Sequence, residues 1–170
     1  MPSPDEGVFF EDLYRSHGSR MKSVAYNILG SAADAEDAVQ EAFLRAYRGM
    51  SAFKGTARAS TWVYRILVNA CHDIGRQRRR RRGETELAPE DRLPPTAAPA
   101  AGDATLRIAL EKAVAALRPR QREVFLLFEV EGFRHREIAE ILDIAEGTSK
   151  ALLFEAKREL KSALGPGRQA

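Results

Sequence analysis

Six of the seven residues from Arg76 to Arg82 are arginine, the densest charge in the chain. Guanidinium groups this close repel one another, so the run calls for an anion. Phosphate suits it, because arginines that neutralise a nucleic-acid backbone release its counterions. A solvated helix end, favoured by the helix dipole, is the plainer alternative. Covalent chemistry finds no comparable cluster. His17, His72 and His135 are spread along the chain. Cys71, His72 and Asp73 are contiguous, but consecutive helical residues point in different directions. No metal-ligand spacing recurs and no nucleophile sits beside a base. Neither an enzyme nor a bound cofactor or metal is expected.

A second candidate lies near the C-terminus. Ile138, Leu142 and Ile144 form an apolar face across the short turn Asp143 to Ala145. Ala139 is small where two crossing helices must approach. Thr148 follows Gly147 at the head of the next helix. Such a pair can lay its second helix in a DNA major groove, with its early residues on base edges. Two helices packed for stability alone would show much the same pattern.

The elements that must position these residues are all predicted to be helices. Phe9, Phe10, Leu13 and Tyr14 form one short stripe. Met21, Val24, Ala25, Ile28 and Leu29 form another, stopped by Gly30. Asp34, three residues before Asp37, is expected to open a third helix with Ala38, Val39, Ala42, Phe43, Ala46 and Tyr47 inward. Ser60 or Thr61 is expected to cap a fourth, carrying Trp62, Val63, Ile66, Leu67, Ala70 and Ile74 into the arginine run. Farther on, Leu106, Leu110, Val114 and Leu117 repeat at helical spacing. Pro119 suits the first turn of a helix carrying Val124, Leu127, Phe128 and Val130. Helices over 134–142 and 146–164 complete the pattern.

Between the halves, residues 83–104 hold four prolines and no apolar period, which reads as a linker. Charge follows the same division. Residues 1–82 carry 14 Lys and Arg against 9 Asp and Glu, residues 83–104 carry 1 against 5, and residues 105–170 carry 12 against 10. Two small all-α bundles, 1–82 and 105–170, are therefore expected on either side of an acidic tether. Basic blocks suit polyanions, though solvated surface would read alike. No stretch approaches the roughly 20 apolar residues of a membrane span. The first seven residues lack the basic start of a signal peptide. With Cys71 the only cysteine, a cytoplasmic location is expected.

Three segments, taken in order and at this spacing, resemble the extracytoplasmic-function (ECF) sigma factors of bacterial RNA polymerase. They are DAEDAVQEAFLRAY over 34–47; FKG at 53–55 followed by STWVYRILVN over 60–69 and Asp73; and LRPRQREVF over 117–125 followed by EIAEIL over 137–142 and GTSK over 147–150. The resemblance implies a first unit that binds core polymerase and the −10 promoter element. It implies a second unit that reads the −35 element, with polymerase holding the two apart. Core binding would fall to Asp37, Gln40, Glu41 and Arg45. The −10 element would meet Phe53, Lys54, Arg58, Asn69, Arg76, Arg78 and Arg79. Phe53 and Asn69 match positions lining the family's site for a flipped base, with Trp62 read as core. The −35 element would meet Thr148, Lys150, Ala151, Phe154, Glu155 and Arg158. An anti-sigma protein is an expected partner. The acidic linker would lie near the nascent RNA's path, where charge mimicry and simple solubility are both open.

Some positions depart from the family's pattern. Ser149 stands where relatives often carry a β-branched residue, and Leu152 and Glu155 where many carry arginine. Two roles are open for Glu155: accepting from cytosine N4 or repelling phosphate. The rival readings are a free-standing helix-turn-helix regulator and a polymerase adaptor that no longer reads DNA.

Overall fold

The two apolar stripes at the N-terminus belong to one continuous helix, α1 (Pro4–Leu29), rather than two. His17 and Gly18 look like an interruption in the sequence. The His17 ring, however, meets the fully buried Tyr64 edge to face at 6.0 Å, and so fills the stripe between Leu13 and Met21. Gly30 ends α1 at φ 72°, a left-handed conformation that favours glycine, and donates its N–H to the Tyr26 carbonyl at 2.7 Å. Helix α2 (Ala32–Gly49) starts two residues before Asp34. Its cap is Ser31, whose hydroxyl accepts the Asp34 N–H at 3.3 Å. Ala35, Ala38, Ala42 and Ala46 line its buried face and let α1 and α3 approach closely.

A short 3₁₀ turn (Met50–Ala52) leads through Phe53 to α3 (Ala59–Arg81). Arg58, not Ser60 or Thr61, stands at the N-cap of α3, and Thr61 is buried in the bundle. Tyr64, Leu67, Val68 and Cys71 fill the centre against Met21, Val24 and Phe43. The structure describes residues 4–53, 55, 58–83 and 104–165 and is a computed structural model. Lys54 and almost all of the expected linker lie outside the described residues. Every element among the described residues is helical, and the helices form two compact units.

In the second unit, α4 (Ala104–Ala116) buries only its C-terminal part, through Val114 and then Leu117. Leu106 and Leu110, expected to face inward, are exposed. Helix α5 (Pro119–Phe125) starts on its proline as predicted. It then widens into a π-helical turn (Leu126–Val130). The wider turn shifts the helical phase, so Val130 faces solvent rather than core. Gly132, at φ 77°, closes the segment. Helix α6 (His135–Leu142) and α7 (Glu146–Leu164) form the helix-turn-helix. Asp143 takes the left-handed conformation in the turn, at φ 53° and ψ 54°. Ile138, Ile141 and Leu142 are buried there and Ile144 is half-buried.

The corner between α4 and α5 depends on a residue that no motif singles out. The Arg122 guanidinium donates to the carbonyls of Val114 at 3.2 Å and of Ala115 and Leu117 at 2.8 Å. The Val114 carbonyl also accepts the Leu117 N–H at 3.2 Å, whereas the Ala115 carbonyl, at the end of α4, and the Leu117 carbonyl just beyond it lie past the reach of the intrahelical ladder. A cation there also meets the negative end of the helix dipole.

Candidate nucleic-acid interface

The arginine run does not act as a single surface. Arg78 folds back on the bundle with 19% of its side chain exposed. Its Nη1 lies 2.7 Å from Asp34 Oδ2 and 3.0 Å from the Leu29 carbonyl oxygen. One guanidinium thus ties the end of α3 to the end of α1 and the start of α2. The phosphate role expected of Arg78 does not fit this placement, because its charge is already matched. Arg79 to Arg82 are exposed. Arg76 is exposed and ion-paired with Asp73.

Upstream on α3, Trp62, Arg65, Asn69 and Arg76 recur at intervals of three, four and seven residues and so share one side of the helix. Arg65, Asn69 and Arg76 are exposed there. Phe53 reaches this side from the preceding loop. Its ring lies 4.7 Å from the Trp62 ring and 6.1 Å from the Phe9 ring, nearly parallel to the latter. Phe53 is half-buried, so it belongs to a stack of three rings rather than standing alone. Trp62, read as core, is itself half-buried at the surface end of that stack. Arg58 is exposed beside it.

On α2, Asp37 and Gln40 are exposed. Glu41 and Arg45 are engaged with each other, Nε to Oε1 at 2.8 Å. Arg45 also reaches Asp73 Oδ2 at 2.9 Å. Asp73 therefore joins the outer face of α2 to the basic stripe of α3. Burial acts to raise the Asp73 pKa, but bonds and charges from Arg45 and Arg76 outweigh it and leave the net value lowered. The Arg45 pKa is raised, most of all by its bond to Glu41. With a lowered folded-state pKa, the Asp73 contribution to stability is present above the unfolded value and lost as pH falls through the folded one. The melting temperature of Asp73→Asn should therefore lie below that of the unaltered chain at pH 7. The gap should close on acidification below about pH 4, the unfolded carboxylate range, as thermal melts across pH will show.

The same α2 face holds a side chain that a search for polar groups passes over. Leu44 is 50% exposed, one turn beyond Gln40 and Glu41, with exposed Tyr47 and Arg48 beside it. An apolar centre within a polar rim is the anatomy of a protein-binding patch.

In α7, Ser149, Leu153, Ala156 and Leu160 are buried. Lys150, Ala151, Phe154 and Arg158 occupy the other side and are exposed, Phe154 at 69%. Thr148 is exposed in the first turn. Glu155 is turned away toward α5. Its Oε2 accepts from Arg118 Nη2 at 2.9 Å and from Gln121 Nε2 at 3.2 Å. Gln121 is fully buried and donates to Glu159 Oε1 at 3.1 Å as well. Neither groove role expected of Glu155 matches this geometry, because its carboxylate is neutralised within the unit. Among the described residues no group of three or more His, Cys, Asp or Glu is placed to hold a metal ion.

Comparison with known proteins bears directly on these two units. Residues 13–82 match the sigma-70 region 2 family, and residues 107–160 match sigma-70 region 4. The ECF RNA polymerase sigma factor SigM of Mycobacterium tuberculosis is 34% identical over 156 residues, covering 92% of this chain and 77% of SigM. The chain belongs to the ECF sigma factors. The RNA polymerase sigma factor CarQ of Myxococcus xanthus is 31% identical over 157 residues, covering 92% of this chain and 89% of CarQ. The fold agrees with that of the sigma factor RpoE solved with the anti-sigma factor NepR from Bartonella quintana. That match has a TM-score of 0.79 at 23% identity, over 94% of this chain and 98% of the other.

As an ECF sigma factor, the chain directs RNA polymerase in transcription initiation, and its partners are core polymerase and promoter DNA. It is neither an enzyme nor a stand-alone regulator. Helices α1 to α3 carry region 2, and α4 to α7 carry region 4. No helix among the described residues is long and apolar enough to cross a membrane.

Proposed function

We propose that the two units grip two separate promoter elements, with domain limits at 1–82 and 105–170 and residues 83–104 as the tether. In this reading α7 reads the −35 duplex through Thr148, Lys150, Ala151, Phe154 and Arg158. The observation that carries it is the exposure of Phe154 amid cations on the side of α7 opposite its buried stripe. A phenyl ring there meets thymine methyl groups, while Lys150 and Arg158 meet phosphates or guanine edges. Glu155 serves instead to hold α7 against α5. Core polymerase meets α2 through Asp37, Gln40 and Leu44, with Glu41 and Arg45 at the margin shared with α3. An anti-sigma protein that covers this face would silence the factor. The site of action is the cytoplasm.

The −10 element meets the Phe53 and Asn69 side of α3, where Arg58, Arg65, Arg76, Arg79 and Lys54 contact the strand's phosphates, Arg76 exchanging its exposed pair with Asp73 for a phosphate. Opening the duplex costs about 1.4 kcal/mol of stacking per base-pair step. Stacking a flipped base on an aromatic ring returns about 1–3 kcal/mol. Such a base joins the existing stack of Phe53, Trp62 and Phe9.

Phe53→Ala and Asn69→Ala should each reduce open complexes, read as permanganate-reactive thymines at the −10 element, by about 10-fold or more. Core binding should be unchanged and the first unit should stay folded, with Phe53→Ala lowering its melting temperature modestly through the lost ring contacts. A variant that melts open complexes normally, or one that unfolds the unit, removes the base-capture assignment.

A further inference from the structure

Ser149 is the one polar side chain among the buried residues of α7. Its hydroxyl oxygen lies 2.9 Å from Nδ1 of His135, the first residue of α6. The His135 ring is stacked on Phe128 of the π-helical turn, 4.6 Å between centroids at 22°. The Phe128 ring in turn lies 5.8 Å from the ammonium of Lys157, which also ion-pairs with Glu129. Ser149, His135, Phe128 and Lys157 thus form a chain of contacts that begins and ends on α7. It passes through both segments that precede the recognition helix.

We propose that His135 is a positioning residue for base readout. Its bond to Ser149 fixes the rotation of α7 about its own axis and so decides which base edges Lys150, Ala151, Phe154 and Arg158 meet. This rests on the reading that α7 contacts the −35 duplex. Glu155 and Glu159 bond to α5 from the half-exposed flank of α7, one to two turns beyond the residues that start the groove face. Within the buried stripe the remaining residues are Leu153, Ala156 and Leu160, and apolar burial is non-directional, so Ser149 is the directional contact at the N-terminal end of α7. A hydrogen bond tolerates little angular change. Side-chain tips lie roughly 5–6 Å from a helix axis, so a turn of about 10° moves them by about 1 Å. Base-edge contacts need placement within about 0.5 Å. Attraction to phosphates declines only gradually over such a distance. Loss of the pin should therefore lower discrimination among −35 sequences more than it lowers affinity for DNA.

The test uses the full chain with core polymerase and a panel of promoters carrying single −35 substitutions. Initiation from each promoter is read against the unsubstituted one. Ser149→Val fills the buried site without a hydroxyl, and His135→Phe keeps a ring on Phe128 without the nitrogen. Both should melt near the temperature of the unaltered chain yet discriminate about 5-fold less among −35 variants, the scale of one hydrogen bond. Ser149→Thr, which restores a hydroxyl, should keep discrimination, and the pair Ser149→Val with His135→Phe should be no worse than either alone. Folded variants with an unchanged −35 profile overturn the inference while leaving the groove reading intact. An unaltered chain indifferent to −35 substitutions overturns the groove reading itself, and the inference with it.

Discussion

Leu44→Asp should weaken binding to core RNA polymerase by about 100-fold, or about 3 kcal/mol, without unfolding the chain. Leu44 is half exposed, and a polar substitution at such a site ordinarily shifts stability by no more than about 0.5 kcal/mol. Binding is different, because a partner seated on α2 would bury the new carboxylate without a cation opposite it. Desolvating an unpaired charge is among the largest single penalties an interface can carry. Asp37→Ala and Gln40→Ala, at the solvated rim, should cost far less. Titration of labelled chain into core enzyme, with a thermal melt of each variant, checks this. Unchanged affinity in Leu44→Asp would move the polymerase surface away from this face of α2.

Arg122→Ala should destabilise the second unit by about 3 kcal/mol. The guanidinium satisfies three carbonyls at the α4–α5 corner. Hydrogen bonds to a charged group each contribute about 1.5–3 kcal/mol, and water will reach part of what is left. Arg122→Lys should recover only a fraction, because an ammonium cannot span carbonyls from three residues in one plane. Separate melting of the two units shows whether the loss is confined to α4–α7. In transcription the variant should behave as a factor weakened at −35 and normal at −10. A melt identical to that of the unaltered chain would mean the corner is held by the packing of Val114 and Leu117 alone.

What could be read in advance was governed by distance along the chain. Helical periods are local, and so the helical class, Pro119 at the start of α5 and the paired helices around Asp143 all follow from neighbouring residues. The departures come from partners far apart in sequence. Arg78 reads as one more phosphate-binding arginine until Asp34 and Leu29 are brought beside it. Glu155 reads as a groove residue until Arg118 and Gln121 turn it inward. His17 looks like a break in an apolar stripe because nothing nearby announces Tyr64 across the bundle. Leu44 is silent in the sequence for a different reason. A leucine on a polar face carries no chemistry of its own and shows itself only by its exposure.

Ser149 joins both lessons. A serine on the inward stripe of a recognition helix reads as weakened packing. Across the turn its hydroxyl meets His135 at 2.9 Å, so the position carries a directional contact.

One selection experiment reaches the centre of the account. Promoter fragments randomised over the whole upstream region are transcribed by core polymerase with the purified chain, and the productive fragments are sequenced. Two information-rich blocks at a fixed separation are predicted, with Phe53→Ala degrading only the downstream block and Ser149→Val only the upstream one. A single block, or enrichment indifferent to both substitutions, would contradict a factor that grips its promoter at two places with two separately folded units.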